Sequence, residues 1–169
     1  DHLAPTSPEF AQQPRQRLWR SRAKDVILAT GALERPLVYL DNDRPGCMLA
    51  SAAQTYVNRY GAMPGKRAVV MTNNDSPYQA LDLVDAGVAV PAIVDLREDP
   101  QGELVAAARQ RGIDVLAGHA VIRVTGKLAV SGVEVARLSA DGKSVTGAAR
   151  SISCDLVMSS SGWQPTVHL

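Results

Sequence analysis

Length, composition and charge limit what this chain can be. Its 169 residues suit about one domain with a sizeable core, and 46% hydrophobic and 21% charged residues are ordinary globular values. A net charge of +1 gives no electrostatic reason to expect nucleic acid or an anionic membrane as a partner. No apolar run approaches the ~20 residues of a membrane span. We therefore expect a cytoplasmic protein.

Thiol, metal and nucleophile chemistry find little support in the sequence. Cys47 and Cys154 are far apart and form no metal-binding or CxxC spacing, so we expect reduced, buried thiols. Ser159, Ser160 and Ser161 form a run, but no general base is indicated beside them. We predict neither a metal site nor a catalytic residue in this chain.

The predicted elements begin after a proline-rich stretch that reaches about Gln16 and is typical of a linker. A continuous apolar run at residues 26–29 predicts a fully buried strand, which the turn "ATG" follows. Residues 47–60 have an apolar helical face and predict a helix that Gly61 ends.

The middle of the chain has the order strand, helix, strand, helix, strand. Apolar runs at residues 68–71 and 90–94 flank a first helix, and residues 103–111 form a second helix before the strand "IDVLAG". From Ala120 the pattern alternates, with "TGK" and "ADGK" as hairpin turns. We predict an α/β fold: a Rossmann-like parallel sheet with helices on both faces plus an antiparallel β-meander.

Two flanking segments carry a resemblance to known flavoproteins. "AKDVILATGALERP" is similar to the strand and ATG turn of two-dinucleotide-domain flavoproteins of the thioredoxin reductase type. "LDNDRPGCMLASAAQTYVNRYG", with "QRLWRSRAK", "TNNDSPYQALDL" and "SGWQPTVHL", resembles the alpha subunit of heterotetrameric sarcosine oxidase over nearly the whole chain. The resemblance implies that residues 1–38 are the trailing part of an interrupted flavin-like dinucleotide-binding domain. Residues 39–150 are then an inserted NAD-domain-like βαβαβ unit with the meander, and residues 151–169 are the return strand of the first domain.

The resemblance also implies a function. The chain would be the nucleotide-binding and assembly region of a complex that oxidises sarcosine to glycine, makes hydrogen peroxide and passes one carbon to tetrahydrofolate. NAD would be bound by the alpha subunit, FAD and FMN would belong to the complete complex, and beta, gamma and delta subunits would be partners. Two alternatives stay open. One is a subunit of a related amine or opine oxidase or of a hydrogen cyanide synthase, and the other is a ligand-free interaction scaffold.

The turn after the first strand of the βαβαβ unit, "TNNDS", contains no glycine. Related flavoproteins usually have glycines there, because these let the backbone approach a pyrophosphate. Asp75 adds negative charge where phosphate would pass. Asp95 lies 20 residues beyond Asp75, at the position of an acid that binds the adenosine ribose, although Arg97 could instead pair with it. We predict that this domain's own phosphate site is not used, while Asp95 remains a candidate ribose ligand.

If that phosphate site is not used, we expect the nucleotide to bind in the flavin-like first domain. The resemblance implies cofactor contacts in two glycine turns, made by Thr30, Gly31, Gly162 and Trp163. Each has a structural alternative, because Gly31 can serve only a tight turn and Trp163 can fill core. Glu34 and Arg35 follow the first of these turns, and we expect them to form an ion pair on a loop.

Overall fold

A computed structural model describes residues 18–167 of the chain. The chain divides into two compact units, one reaching to Thr30 and the other beginning at Gly31. In the first unit, residues 18–30 form neither helix nor strand, and their side chains are exposed. The strand predicted over residues 26–29 is therefore wrong. An apolar strand is buried only between neighbouring strands and helices, and no described strand pairs with this run. The predicted linker up to Gln16 lies outside the described residues.

The second unit contains the regular structure. Its described strands are β1 Ala32–Glu34, β2 Cys47–Leu49, β3 Arg67–Thr72, β4 Ala89–Asp95, β5 Asp114–Ala117, β6 His119–Thr125, β7 Gly132–Leu138, β8 Val145–Ser153, β9 Leu156–Ser160 and β10 Trp163–Pro165. Its described helices are α1 Ala50–Tyr60, α2 Leu81–Asp85 and α3 Glu103–Gln110, with a 3-10 turn at Ser76–Ala80 that leads into α2. These helices are all too short or too polar to span a bilayer.

The strands form three sheets. The main sheet is parallel and has the order β2-β9-β3-β4-β5. The meander β6-β7-β8 is antiparallel, and β1 pairs with β10 as a two-stranded antiparallel ribbon. Strand β9 lies between β2 and β3, so the last long strand of the chain completes the sheet of the βαβαβ unit. The wider division of the chain at residues 38 and 150 into parts of two dinucleotide-binding domains stays a prediction.

Alternating side chains of the main sheet supply two cores, as a two-residue period requires. Val70, Ile93 and Met158 face the cluster that holds the buried side chains of all three helices. Val69 and Val94 face the other cluster, with the valines of the meander. The predicted α/β class, parallel sheet and meander are confirmed. One detail differs: the described helices share one face, because the meander covers the other.

Helix α1 also begins later than predicted. Residues Cys47–Leu49 form β2 and pair with β9, so the helix starts at Ala50. Its predicted end is confirmed, since Gly61 is in the left-handed region at φ 60° and its N–H bonds the carbonyl of Val57 at 3.1 Å. The chain then turns directly into β3.

Candidate functional site

Three strands of the main sheet end side by side at its carboxyl edge. Thr72 of β3 is in register with Ser160 of β9 on one side and with Asp95 of β4 on the other. All three polar side chains are buried. Strand order reverses here, since the chain runs from β3 outward through β4 and β5 and returns on the opposite side as β9. In open α/β sheets such a switch point is where ligands bind.

The turn that follows β3 is closed by its own side chains. The Thr72 hydroxyl accepts a hydrogen bond from the Asn74 N–H at 3.0 Å and donates to the Asn74 carbonyl at 2.8 Å. The Asn74 side-chain oxygen accepts from the N–H of Ser76 at 3.0 Å. Local bonds of this kind fix a turn without glycine. They also use two backbone N–H groups, those of Asn74 and Ser76, that a glycine-rich turn would present to phosphate.

Asp95 is completely buried and has donors at both of its carboxylate oxygens. Its Oδ1 accepts from the backbone N–H of Arg97 at 2.9 Å and from Nε of the same residue at 3.0 Å. Its Oδ2 accepts from Arg97 Nη2 at 2.7 Å and from the Tyr78 hydroxyl at 2.8 Å. A carboxylate offers about four acceptor positions. The protein itself therefore satisfies the group predicted to bind a ribose.

The arginine extends this network across the turn. Arg97 Nη1 lies 2.8 Å from Asp75 Oδ1, so one guanidinium joins the end of β4 to the turn after β3. The hydrogen bond to Asp95 is the main cause that raises the pKa of Arg97. Burial, followed by the hydrogen bond to Asp95, raises the pKa of Tyr78. The predicted alternative, a pair between Asp95 and Arg97, is confirmed. Sequence reasoning missed Tyr78, whose hydroxyl reaches the pair from the 3-10 turn.

The two predicted glycine turns flank the β1–β10 ribbon. The Gly31 carbonyl accepts from the N–H of Thr166 at 3.0 Å, and the Gly162 carbonyl accepts from the N–H of Arg35 at 2.9 Å. Between them Glu34 is in register with Trp163. The two contacts on the β1 side, at Gly31 and Arg35, are four positions apart in the chain, which is about 13 Å in an extended strand. The two turns therefore lie at opposite ends of one ribbon.

Both glycines have backbones that favour glycine. Gly31 has φ 72° and Gly162 has φ 97°, which other residues rarely adopt. A Cβ added at Gly31 would have no neighbour within 4 Å, and one added at Gly162 would lie 3.9 Å from Asn74 Nδ2. Gly162 therefore adjoins the carboxyl edge of the sheet. Trp163 is 48% exposed, which differs from a core-filling role.

Glu34 has a different partner from the one expected. Its Oε2 accepts hydrogen bonds from the N–H of Ser51 at 2.9 Å and from the Ser51 hydroxyl at 2.5 Å. Ser51 is in the first turn of α1, whose N-cap residue, Leu49, makes no side-chain cap. The carboxylate thus satisfies a helix N-terminus from a distant strand, which stabilises both elements. The expected ion pair between Glu34 and Arg35 is replaced by this cap.

A small cavity of about 170 Å³ lies beside β2 and β9 and is lined in part by Tyr39, Cys47 and Ser159. Burial is the main cause that raises the pKa of Tyr39 and of Cys47. Cys47 is only partly buried, whereas Cys154 is buried, and burial raises the pKa of Cys154 to about 12. Both thiols are free, and both are held in the protonated form at neutral pH. Among residues 18–167 no group of three metal-ligating side chains occurs.

Known proteins of similar sequence identify the family of this chain. No family model matches the chain. The alpha subunit of sarcosine oxidase from Corynebacterium sp. (strain U-96) is 39% identical over 160 residues, which is 92% of this chain and 16% of that protein. The same subunit of Rhizobium meliloti (strain 1021) is 41% identical over 158 residues, 92% of this chain and 15% of that protein. This chain is homologous to part of the sarcosine oxidase alpha subunit.

The predicted resemblance to the sarcosine oxidase alpha subunit is thus confirmed over most of the chain. The chain spans only 15% to 17% of the length of these alpha subunits. A subunit of opine oxidase from Agrobacterium tumefaciens (strain Ach5) is 41% identical over 76 residues, 44% of this chain and 15% of that protein. All of these homologues are subunits of oxidoreductases.

Solved structures confirm the fold. Thioredoxin reductase of T. acidophilum superposes with a TM-score of 0.60 at 19% identity, covering 80% of this chain and 43% of that chain. Thioredoxin reductase of Lactococcus lactis gives 0.58 at 17% identity, covering 80% and 44%. The sarcosine oxidase alpha homologue therefore has the Rossmann-like fold of two-dinucleotide flavoproteins.

Proposed function

We propose that this chain is the nucleotide-binding and assembly region of a sarcosine oxidase alpha-type subunit. The complex would oxidatively demethylate sarcosine to glycine, with hydrogen peroxide and a tetrahydrofolate one-carbon unit as further products. The observation that carries the proposal is 39% to 41% identity to sarcosine oxidase alpha subunits over at least 92% of the chain. The cofactors would be NAD in the alpha subunit, with FAD and FMN in the complete complex.

The carboxyl edge of the main sheet does not fit a dinucleotide. Asp95 has both oxygens occupied by donors from the protein, and the turn after β3 is closed by bonds through Thr72 and Asn74. Asp75 adds a carboxylate that already pairs with Arg97. A ribose and a pyrophosphate would have to break these bonds before they could bind. We propose that this edge is structural and that no nucleotide binds there.

The β1–β10 ribbon fits a nucleotide better. Gly31 and Gly162 have open, left-handed backbones, and Trp163 presents about half of its surface. Thr30, which precedes Gly31 in the chain, is exposed. These four residues would hold NAD together with a dinucleotide-binding half that precedes them in the longer alpha subunits. Residues 1–38, 39–150 and 151–169 would then be the trailing part, the insertion and the return strand that the sequence predicts.

An assembly role follows from the same homology. The homologues are named as subunits, so partner subunits (beta, gamma and delta in the heterotetramer) are part of the proposal. Tyr56 and Tyr60 of α1 are exposed, stack edge to face at 6.2 Å between ring centroids, and lie beside Arg59. Exposed tyrosines with an arginine are typical of subunit interfaces. We propose that this face of α1 contacts another subunit.

The test is to identify nucleotides released by denaturation, with mass spectrometry, from this chain and from a full-length alpha subunit that contains it. We expect the full-length protein to release NAD and the chain alone to release none. Gly162→Val in the full-length protein should lower its NAD content. Gly142→Val should not, although Gly142 is also a left-handed glycine, and a Cβ added there has no neighbour within 4 Å. NAD released from the isolated chain would contradict the proposal.

A second candidate function rests on the opine oxidase match. Identity to that protein is as high as to the sarcosine oxidase subunits but covers 44% of the chain instead of 92%. The two functions separate by substrate: the assembled complex should reduce oxygen with sarcosine and not with an opine. Turnover of opine alone would favour the second function.

A further inference from the structure

A second cavity lies between β5 and the meander, beside the carboxyl end of β5. Its volume is about 290 Å³, just below the range of about 300–1,000 Å³ for sites that bind small molecules. Leu116 of β5 and Val135 of β7 line it with hydrocarbon. Arg137 and Arg150 line it with guanidinium N–H donors, and His119 lines it with an imidazole ring. An apolar surface with a few converging charged groups is the usual composition of a ligand site.

A deformation of β8 accompanies this cavity. Val135 is in register with Arg150 and Arg137 with Thr146, so one residue of β7 opposes three residues of β8. The extra residues bulge at Gly147, which has φ 73° and no neighbour within 4 Å of an added Cβ. Thr146 and Gly147 both line the cavity. Bulges of this kind are common where a sheet re-aims side chains at a ligand.

Two carboxylates hold the arginines without lining the cavity. Arg137 Nη2 donates to Glu98 at 3.1 Å, and Arg150 Nη1 donates to Asp114 at 2.9 Å. Each of these bonds uses one of the five N–H donors of a guanidinium. The side chains remain 58% and 60% exposed, so a ligand can reach both. The carboxylates therefore orient the guanidinium groups and leave donors for a further acceptor.

The histidine is also oriented. His119 Nδ1 lies 2.7 Å from the carbonyl oxygen of Ala117, which can only accept, so Nδ1 carries the hydrogen. The second ring nitrogen is then the one that a ligand can contact. The Glu98 carboxylate packs closely on Gly118, where an added Cβ would lie 2.9 Å from it.

We propose that this cavity binds a small organic dicarboxylate. Arginine forms paired, charge-assisted hydrogen bonds with carboxylates, so Arg137 and Arg150 would hold the charged ends. The carbon chain would lie against Leu116 and Val135. This site is separate from the proposed nucleotide contacts and does not depend on the proposed function.

The experiment titrates the 15N-labelled 169-residue chain with glutarate and, separately, with phosphate, in low-salt buffer at pH 7, and follows amide shifts by NMR. We expect saturable shifts with glutarate at residues 116–119, 135–137 and 146–150. Phosphate should bind more weakly, because it has no hydrocarbon to bury. The double variant Arg137→Gln/Arg150→Gln should weaken glutarate binding at least about 10-fold, since each lost charged hydrogen bond carries a large part of the affinity.

The matched control is Arg109→Gln, which removes the same charge from an exposed position on α3 and should leave glutarate binding unchanged. Asp114→Asn should tighten binding, because it removes a negative charge beside the site. Amide spectra that match away from the cavity show that each variant is folded. The proposal is overturned if glutarate shifts do not saturate, if phosphate binds as tightly as glutarate, or if Arg109→Gln weakens binding as much as the double variant.

Discussion

Arg97→Met tests whether the carboxyl edge is held by the protein's own charges. The substitution removes both side-chain bonds to Asp95, which stays completely buried with the Tyr78 hydroxyl and one backbone N–H as donors. Removing one partner of a buried ion pair costs about 3–5 kcal/mol, because the remaining charge is poorly solvated. The Arg97 side chain is 31% exposed, so water compensates part of the loss. We expect unfolding free energy to fall by about 2–3 kcal/mol.

The measurement is urea denaturation followed by far-UV circular dichroism, with the slope of the transition compared between variants. Arg111→Met is the matched control, because it removes an arginine from the pair with Asp85, whose side chains are 39% and 64% exposed. An exposed pair contributes less than about 1 kcal/mol. We also expect Asp95→Asn/Arg97→Met to lose less than Arg97→Met alone, since the double variant buries no unpaired charge.

Two results would refute this reasoning. One is an equal loss of unfolding free energy in Arg97→Met and Arg111→Met, which would mean that the buried carboxylate places no special demand on its partner. The other is a double variant that is less stable than Arg97→Met. A double variant that gained NAD binding would instead show that the charges, and not the turn, exclude the nucleotide.

Three further predictions concern the turn, a thiol and the cap of α1. Asn73→Gly/Asp75→Gly should not create tight NAD binding in calorimetry, because Asp95 stays occupied; micromolar affinity would contradict this. Burial raises the pKa of Cys154 to about 12 from 9.0, so its contribution to stability is complete below pH 9 and is lost as pH rises toward 12. Cys154→Ala should make the free energy of unfolding fall less as pH rises from 9 toward 12, measured by urea denaturation at several pH values. An unchanged fall with pH would count against this prediction. Glu34→Gln should lower the free energy of unfolding by about 1 kcal/mol, measured by urea denaturation, because the cap of α1 loses its charge. The comparison is Glu103→Gln, at the exposed first residue of α3, which should lower the free energy of unfolding by less.

Local patterns in the sequence predicted much of the fold. The order of strands and helices from β3 to β5, the end of α1 at Gly61 and the meander all follow from apolar periods and turn residues. The pair between Asp95 and Arg97 was also accessible, because the two residues are two positions apart at the end of one strand. Each of these features is decided by residues that are close together in the chain.

Long-range pairings could not be predicted in this way. The apolar pattern of β9 indicates a buried strand but not that it inserts between β2 and β3. The same limit applies to the candidate site, where Tyr78 reaches Asp95 across 17 residues and Glu34 caps α1 from 17 residues away. The apolar run at residues 26–29 predicts a strand that does not form, because an apolar run becomes a buried strand only where other strands and helices pack against it.

The position of β9 has a consequence for the order in which the protein is made. Val70 and Met158 are neighbours in the sheet but 88 residues apart in the chain. Ribosomes deliver the amino-terminal part first. Until residues 156–160 emerge, β3 exposes an open edge and β2 lacks the described strand that pairs with it. Open edges invite pairing with other chains. The nascent polypeptide is therefore most vulnerable to aggregation just before β9 inserts between β2 and β3.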